Sequence, residues 1–179
     1  VYVSLGKVLL AEKELSVALK LGADPNEVVP LVAKTLSMQS KYAEISDLKS
    51  EFVNLTTEAN AALRFYDILG LLKHENSLKE KHKIKFIDKN FTDKYDQLLR
   101  IYSLAVDSNI DKAIFSGEAL IRQYEKFDDA YFILGQLYSL EKDFLNAENM
   151  YRNYVKIQPE YLYGRFYLAD VLVKNGKYN

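Results

Sequence analysis

The sequence predicts an all-α fold, a solenoid of stacked antiparallel helical hairpins in about five full or partial repeats. Three observations point there. Apolar residues recur at i, i+3, i+4 and i+7 along most of the chain, the spacing that gathers them on one stripe of a helix. Seven Gly and three Pro in 179 residues are few, and strand-type alternation is scarce. The pattern also returns after 34 residues (147 − 113), which pairs Ala113 with Ala147, Ile110 with Phe144, Leu104 with Tyr138 and Leu120 with Tyr154. With 49% hydrophobic and 27% charged residues, the composition is that of a soluble folded chain with a sizeable core.

The first hairpin is expected over residues 1–23. Leu5-Gly6 and Ala11 parallel Leu134-Gly135 and Ala147, yet Gly6 and Ala11 are 5 apart (11 − 6) where Gly135 and Ala147 are 12 apart (147 − 135). Either the turn is deleted and two helices fuse, or a loop is missing between Leu10 and Ala11. The missing loop is favoured, because a fused helix leaves two apolar stripes out of phase. Leu21-Gly22 then stops the helix at a left-handed glycine, and Asp24-Pro25-Asn26-Glu27 opens the next with a cap, a first-turn proline and a returning Glu.

In the second hairpin, 24–55, Val29, Val32, Ala33 and Leu36 form one stripe and Tyr42, Ile45, Leu48 and Phe52 the other. The third, 56–92, opens on Thr56 or Thr57 and carries Leu63, Tyr66, Ile68, Leu69 and Leu72. Ser77 with Glu80 makes a capping box. The stretch KHENSLKEKHKIKFIDKNF keeps only Leu78, Ile84, Phe86, Ile87 and Phe91 as anchors, so an irregular hairpin with a solvated second helix is expected. The fourth, 93–127, sets Leu98, Ile101 and Leu104 against Ile110, Ala113, Gly117 and Leu120.

The fifth hairpin, 128–161, is the most complete. Tyr131, Leu134, Gly135 and Tyr138 form its first stripe; Asp143 caps a second helix bearing Phe144, Ala147, Tyr151 and Tyr154; Pro159 ends it. Gly135 and Ala147 are the small members that let the two backbones approach. A half repeat, 162–179, places Leu168, Ala169 and Leu172 where Leu134, Gly135 and Tyr138 stood. The whole reads as one domain and as a piece of a longer array.

The order of an aromatic or Leu, Leu-Gly, Tyr, aromatic, Ala, aromatic and Pro in 128–161 resembles the tetratricopeptide repeat. Tyr154 departs from it: that family usually has a small residue there, so a looser or shifted contact to the next repeat is expected. In roughly the first 50 residues, AEKELSVALKLGADPNEVVPLVAKTLSMQSKYAEISDL resembles bacterial PEP-CTERM-system tetratricopeptide lipoproteins. Those carry a turn between the "LGKV" and "AEKEL" elements, which supports the missing loop. The resemblance implies an exported bacterial protein of the periplasm or outer membrane, linked to exopolysaccharide and protein sorting; a cytoplasmic location is the alternative. No Cys is present for lipid attachment.

A net charge of −1 argues against non-specific binding of nucleic acid or anionic membrane through the whole surface, and no apolar run approaches the ~20 residues of a membrane span. The absence of Cys excludes disulfides, thiolate zinc sites and cysteine catalysis while leaving the compartment open. His74 and His82, in HENSLKEKH with Glu75 and Glu80, superficially suggest a metal cluster. Eight positions leave them about 80° out of alignment on a helix, which suits no common zinc pair, and a solvated face is the favoured reading. Lys79, Lys81, Lys83, Lys85 and Lys89 beside Phe86 and Phe91 suit phosphate contact with a nucleic acid, an acidic protein or polysaccharide, or plain solubility, with solubility favoured. There is no phosphate-cradling glycine loop and no nucleophile elbow, and Asp128-Asp129 and Asp143 are better used as helix caps. The expectation is a non-enzyme without cofactor or metal.

The tetratricopeptide resemblance further implies a partner groove lined by the second, fifth, ninth and twelfth positions of each first helix. Those are Tyr95, Leu98, Tyr102 and Ala105; Asp129, Phe132, Gln136 and Ser139; and Tyr163, Phe166, Asp170 and Val173. The Lys and Asn clamp by which chaperone-binding members hold a terminal carboxylate is absent. The expected partner is therefore a protein or an apolar or amphipathic peptide, not nucleic acid. Two alternatives stay open: these rings bury against neighbouring helices, or the chain is a spacer or accessory domain of a larger enzyme.

Overall fold

The computed structural model describes residues 7–74, 93–159 and 161–176, with the side chains of 70–74 left aside. Among these residues it is all helical: α1 (Val8–Lys20), α2 (Pro25–Met38), α3 (Tyr42–Glu51), α4 (Thr57–His74), α5 (Lys94–Val106), α6 (Ile110–Gln123), α7 (Asp128–Leu140), α8 (Phe144–Ile157) and α9 (Leu162–Lys174). The all-α expectation holds. The chain divides into two compact units, Lys7–Leu99 and a second beginning at Arg100.

A step of 34 residues governs the local structure. First helices begin at Lys94, Asp128 and Leu162 (128 − 94, 162 − 128), and second helices at Ile110 and Phe144 (144 − 110). Left-handed residues stand at Ser108, Lys142 and Gly176 (φ 60°, 62° and 70°), and Ser40 (φ 60°) lies two steps upstream of Ser108 (108 − 40 = 68). Each closes a helix in the same way. The Lys142 N–H donates to the Ser139 carbonyl at 3.2 Å and the Asp143 N–H to that of Tyr138 at 2.9 Å; Ser108 with Asn109, and Ser40 with Lys41, repeat the pair. This pair of hydrogen bonds satisfies the last free carbonyls of a helix. Asp143 then serves twice, its carboxylate accepting from the Asn146 N–H at 3.1 Å to open α8.

In the first unit, Gly22 (φ 88°) ends α1 as expected, and Asp24 caps α2 by accepting from the Asn26 N–H at 2.9 Å, with Pro25 in the first turn. Thr56, not Thr57, caps α4 through the Ala59 N–H. Val29, Val32, Ala33, Leu36, Tyr42 and Ile45 are buried together with Ala59, Ala62, Leu63 and Tyr66. Thr35 and Ser37, also buried, return their hydroxyl protons to the carbonyls of Leu31 and Lys34, so neither strands a donor. In the sequence as it stands no turn interrupts Leu10–Ala11. Helix α1 runs through that junction unbroken, and the anticipated cost is visible: Ala11 is buried while Leu9 and Leu10 face solvent, at 72% and 36% exposure.

In the second unit, Ala113, Gly117, Leu120, Leu134, Gly135, Ala147, Tyr151 and Tyr154 are all buried as their spacing predicted. Tyr154 corrects an expectation. A Cβ on Gly164 would stand 2.5 Å from its ring, so the glycine of α9 makes room for the large residue and the contact closes without looseness. Gly135 works the same way, since a Cβ there would stand 2.6 Å from the Tyr151 ring. In α9 Gly164 and Val171 are buried and Tyr167, Leu168 and Leu172 half-buried, Leu168 packing against the Leu134–Tyr151–Val171 cluster as its register predicted, so that of the expected three only Ala169 is misplaced. Ala169 is exposed because α8 covers the opposite side of that helix.

The Leu5-Gly6 pair, the Ser77–Glu80 box, the HENSLKEKH motif with its two histidines and the lysine run 79–89 lie outside the residues and side chains described.

Candidate functional site

In the second unit the rings of α7, α8 and α9 meet in one band. The Phe132 centroid lies 5.2 Å from those of Tyr154 and Tyr167 and 6.1 Å from that of Tyr151. Tyr151 and Tyr167 stack at 5.6 Å with an interplanar angle of 18°, and Tyr167 meets Phe166 edge-on at 5.7 Å. On the other side Tyr154 contacts Tyr161 at 6.1 Å, and Tyr161 contacts Tyr163 at 5.7 Å. Edge-to-face and offset contacts at these separations add to area burial, so the band is rigid as well as apolar. Burial lifts the Tyr151 phenol to about 12.

The band grades from core to surface. Tyr151 and Tyr154 are buried and Phe132 and Tyr167 half-buried, while Tyr163 and Phe166 are 58% and 66% exposed. Three expected groove residues, Phe132, Tyr163 and Phe166, are thus joined in one ring network. Asp129 and Gln136 are half-buried on α7. Asp170 is engaged by Lys174 Nζ at 2.7 Å, one helical turn on, and Ser139 donates its hydroxyl to the Gly135 carbonyl at 2.7 Å. Tyr102 and Ala105, on α5, are half-buried.

Two of the expected residues belong to the first unit. Leu98 is fully buried and cannot touch a partner. Its helical position has the right phase for a groove, but Leu at that phase is drawn into the core by the hydrophobic gain of closing it off from water. Tyr95 packs against Phe65 and Tyr66 at 5.9 and 6.1 Å, with Lys94 Nζ 5.4 Å above its ring. Phe132 likewise is part of the packing around Leu134, Ala147, Tyr151 and Val171 rather than a free ring.

Tyr161 and Tyr167, which link the band, escaped the position-based reading because neither falls on a groove position; the density of Tyr in 151–167 was the available signal. Among the described residues no group of three or more His, Asp or Glu is placed to hold a metal ion. No helix among them is long and apolar enough to cross a membrane. No family model and no curated protein matches the chain.

Proposed function

We propose that this chain is a non-catalytic protein-binding scaffold of the tetratricopeptide type, and that it takes an apolar or amphipathic peptide segment on the ring band of α7–α9. The observation that carries the reading is the exposure of Tyr163 and Phe166 at the two ends of a ring network whose middle is buried. Rigid rings held ready in this way cost little entropy on binding and supply the aromatic anchors of a peptide interface. The 34-residue recurrence of helix starts and turn residues supports the family assignment. The envelope setting implied by the first 50 residues is part of the same proposal, and fractionation of source cells tests it.

Burial of Leu98 and half-burial of Phe132 favour a second reading, a spacer whose rings serve only its own packing. A Tyr163→Ala/Phe166→Ala variant separates the two. A scaffold loses its partner with its thermal stability kept, whereas a spacer loses neither partner nor function.

A further inference from the structure

A second surface lies apart from the ring band. It is an open cleft of about 640 Å3 formed by the last turns of α6 and α8, the α6–α7 connection and the first turn of α7. Its apolar lining is Ile121, Ile157 and Tyr131, all half-buried; around it stand the exposed cations Arg122, Lys126 and Lys156, with Glu125 the one carboxylate of the lining. Three cations against one acid is a local excess on a chain whose net charge is −1.

The cations are available. Among the described residues Arg122 pairs only loosely with Glu118, 3.8 Å away in the preceding turn, and neither Lys126 nor Lys156 has a carboxylate partner. Tyr131 adds a phenol hydroxyl as a donor; burial, and then Glu125, raise its pKa. None of these residues belongs to the ring band.

We infer that this cleft is a second binding site, and that its ligand is an acidic peptide segment carrying a large aliphatic side chain between carboxylates. Half-buried isoleucines beneath a ring of cations match that chemistry on both counts, the aliphatic group leaving water against Ile121 and Ile157 while the carboxylates pair at the edge. A nucleic acid would satisfy the charge but bring nothing aliphatic to the lining, and Tyr131 alone is a poor stacking platform.

The test is fluorescence anisotropy of a short labelled peptide of alternating Glu and Leu, titrated with the full chain at low salt. Saturable binding is expected. It should weaken by about tenfold or more in a Lys126→Glu/Lys156→Glu variant, fall similarly when Gln replaces Glu or Ser replaces Leu in the peptide, and stay unchanged in Tyr163→Ala/Phe166→Ala. Both lysines are exposed, and Lys126→Gln/Lys156→Gln provides a milder variant should charge reversal disturb folding. No saturable binding, or equal affinity in the lysine variants, would overturn the inference. So would loss through the ring variant alone, which would hand the peptide to the band, or capture of a single-stranded oligonucleotide at these lysines with the peptide left free.

Discussion

The α2–α3 pair of the first unit and the α7–α8 pair of the second share a turn but not a seam. Both close on a left-handed residue, Ser40 or Lys142, with the same two backbone bonds behind it. Both bury the residue on the 34-residue register inside the second helix, Ile45 in one and Ala147 in the other (147 − 45 = 102). At the positions of Gly135 and Tyr151, however, the first unit has Ala33 and Lys49 (135 − 33 = 151 − 49 = 102). A ring seated on a glycine is replaced by a methyl and an exposed lysine that reaches Asp67 of α4 at 3.2 Å. Helix α3 is also 10 residues long against 14 for α8. The comparison separates two tasks: turn chemistry sets the period, while ring-on-glycine contacts set how firmly a pair is clamped.

The largest expected effect follows from removing a ring. Tyr151→Ala should cost roughly 3–5 kcal/mol, as deletion of a fully buried ring leaves a cavity the neighbours cannot fill, whereas Lys49→Ala in the first unit should barely change the urea midpoint. A Tyr151→Ala midpoint close to wild type would end the distinction between the two seams. Next comes the glycine. Gly135→Ala should cost about 1–3 kcal/mol by overpacking, because the new methyl meets the Tyr151 ring, which is itself stacked on Tyr167. The reverse change in the first unit, Ala33→Gly, is expected to cost only about 1 kcal/mol through backbone entropy. Thermal unfolding of the two variants side by side checks the opposite signs of the same methyl.

Smaller effects sharpen the shared half of the comparison. Asp143→Ala and Asp24→Ala each remove a side-chain cap and should each cost about 1 kcal/mol, alike in the two units because the capping bonds are alike. The smallest effect is a pH dependence confined to the first unit. Hydrogen bonding from Lys41 holds the Glu12 carboxyl below its ordinary 4.5, with Gln39 helping and burial opposing. Its folded pKa is lowered, so its contribution is complete above 4.5 and is lost as pH falls through the folded value. The urea midpoint of wild type should exceed that of Glu12→Gln at neutral pH, and the gap should shrink as pH falls below 4.5. A gap that persists in acid would remove the Lys41 bond as its cause.

These contrasts also mark what could be read in advance. Caps and stops were legible, since Asp24, Gly22, Asp143 and Pro159 act on their own backbone within a few residues. Burial stripes were legible wherever helix phase alone decides, as for Val29, Val32, Ala33 and Leu36. Phase names a face but not what covers it, and for that reason Leu98 was placed in a groove and proved to be core. The match of Tyr154 with Gly164 is a complementarity between two helices, invisible to spacing within either. The cleft of Arg122, Lys126 and Lys156 draws on three separate elements, and no motif announces it. Spacing also shows that an unbroken α1 sets two apolar stripes out of phase, and Leu9 and Leu10 are the residues left exposed by it.

The central claim is that the outer rings of the band hold a peptide. The most direct measurement is selection from a random-peptide display library on the full chain, followed by affinity determination on wild type and on Tyr163→Ala/Phe166→Ala. The account predicts enriched apolar or amphipathic peptides whose binding weakens by about tenfold or more in the variant, with an unchanged melting temperature. Peptides that bind both proteins equally, or a library from which nothing apolar is enriched, would contradict it.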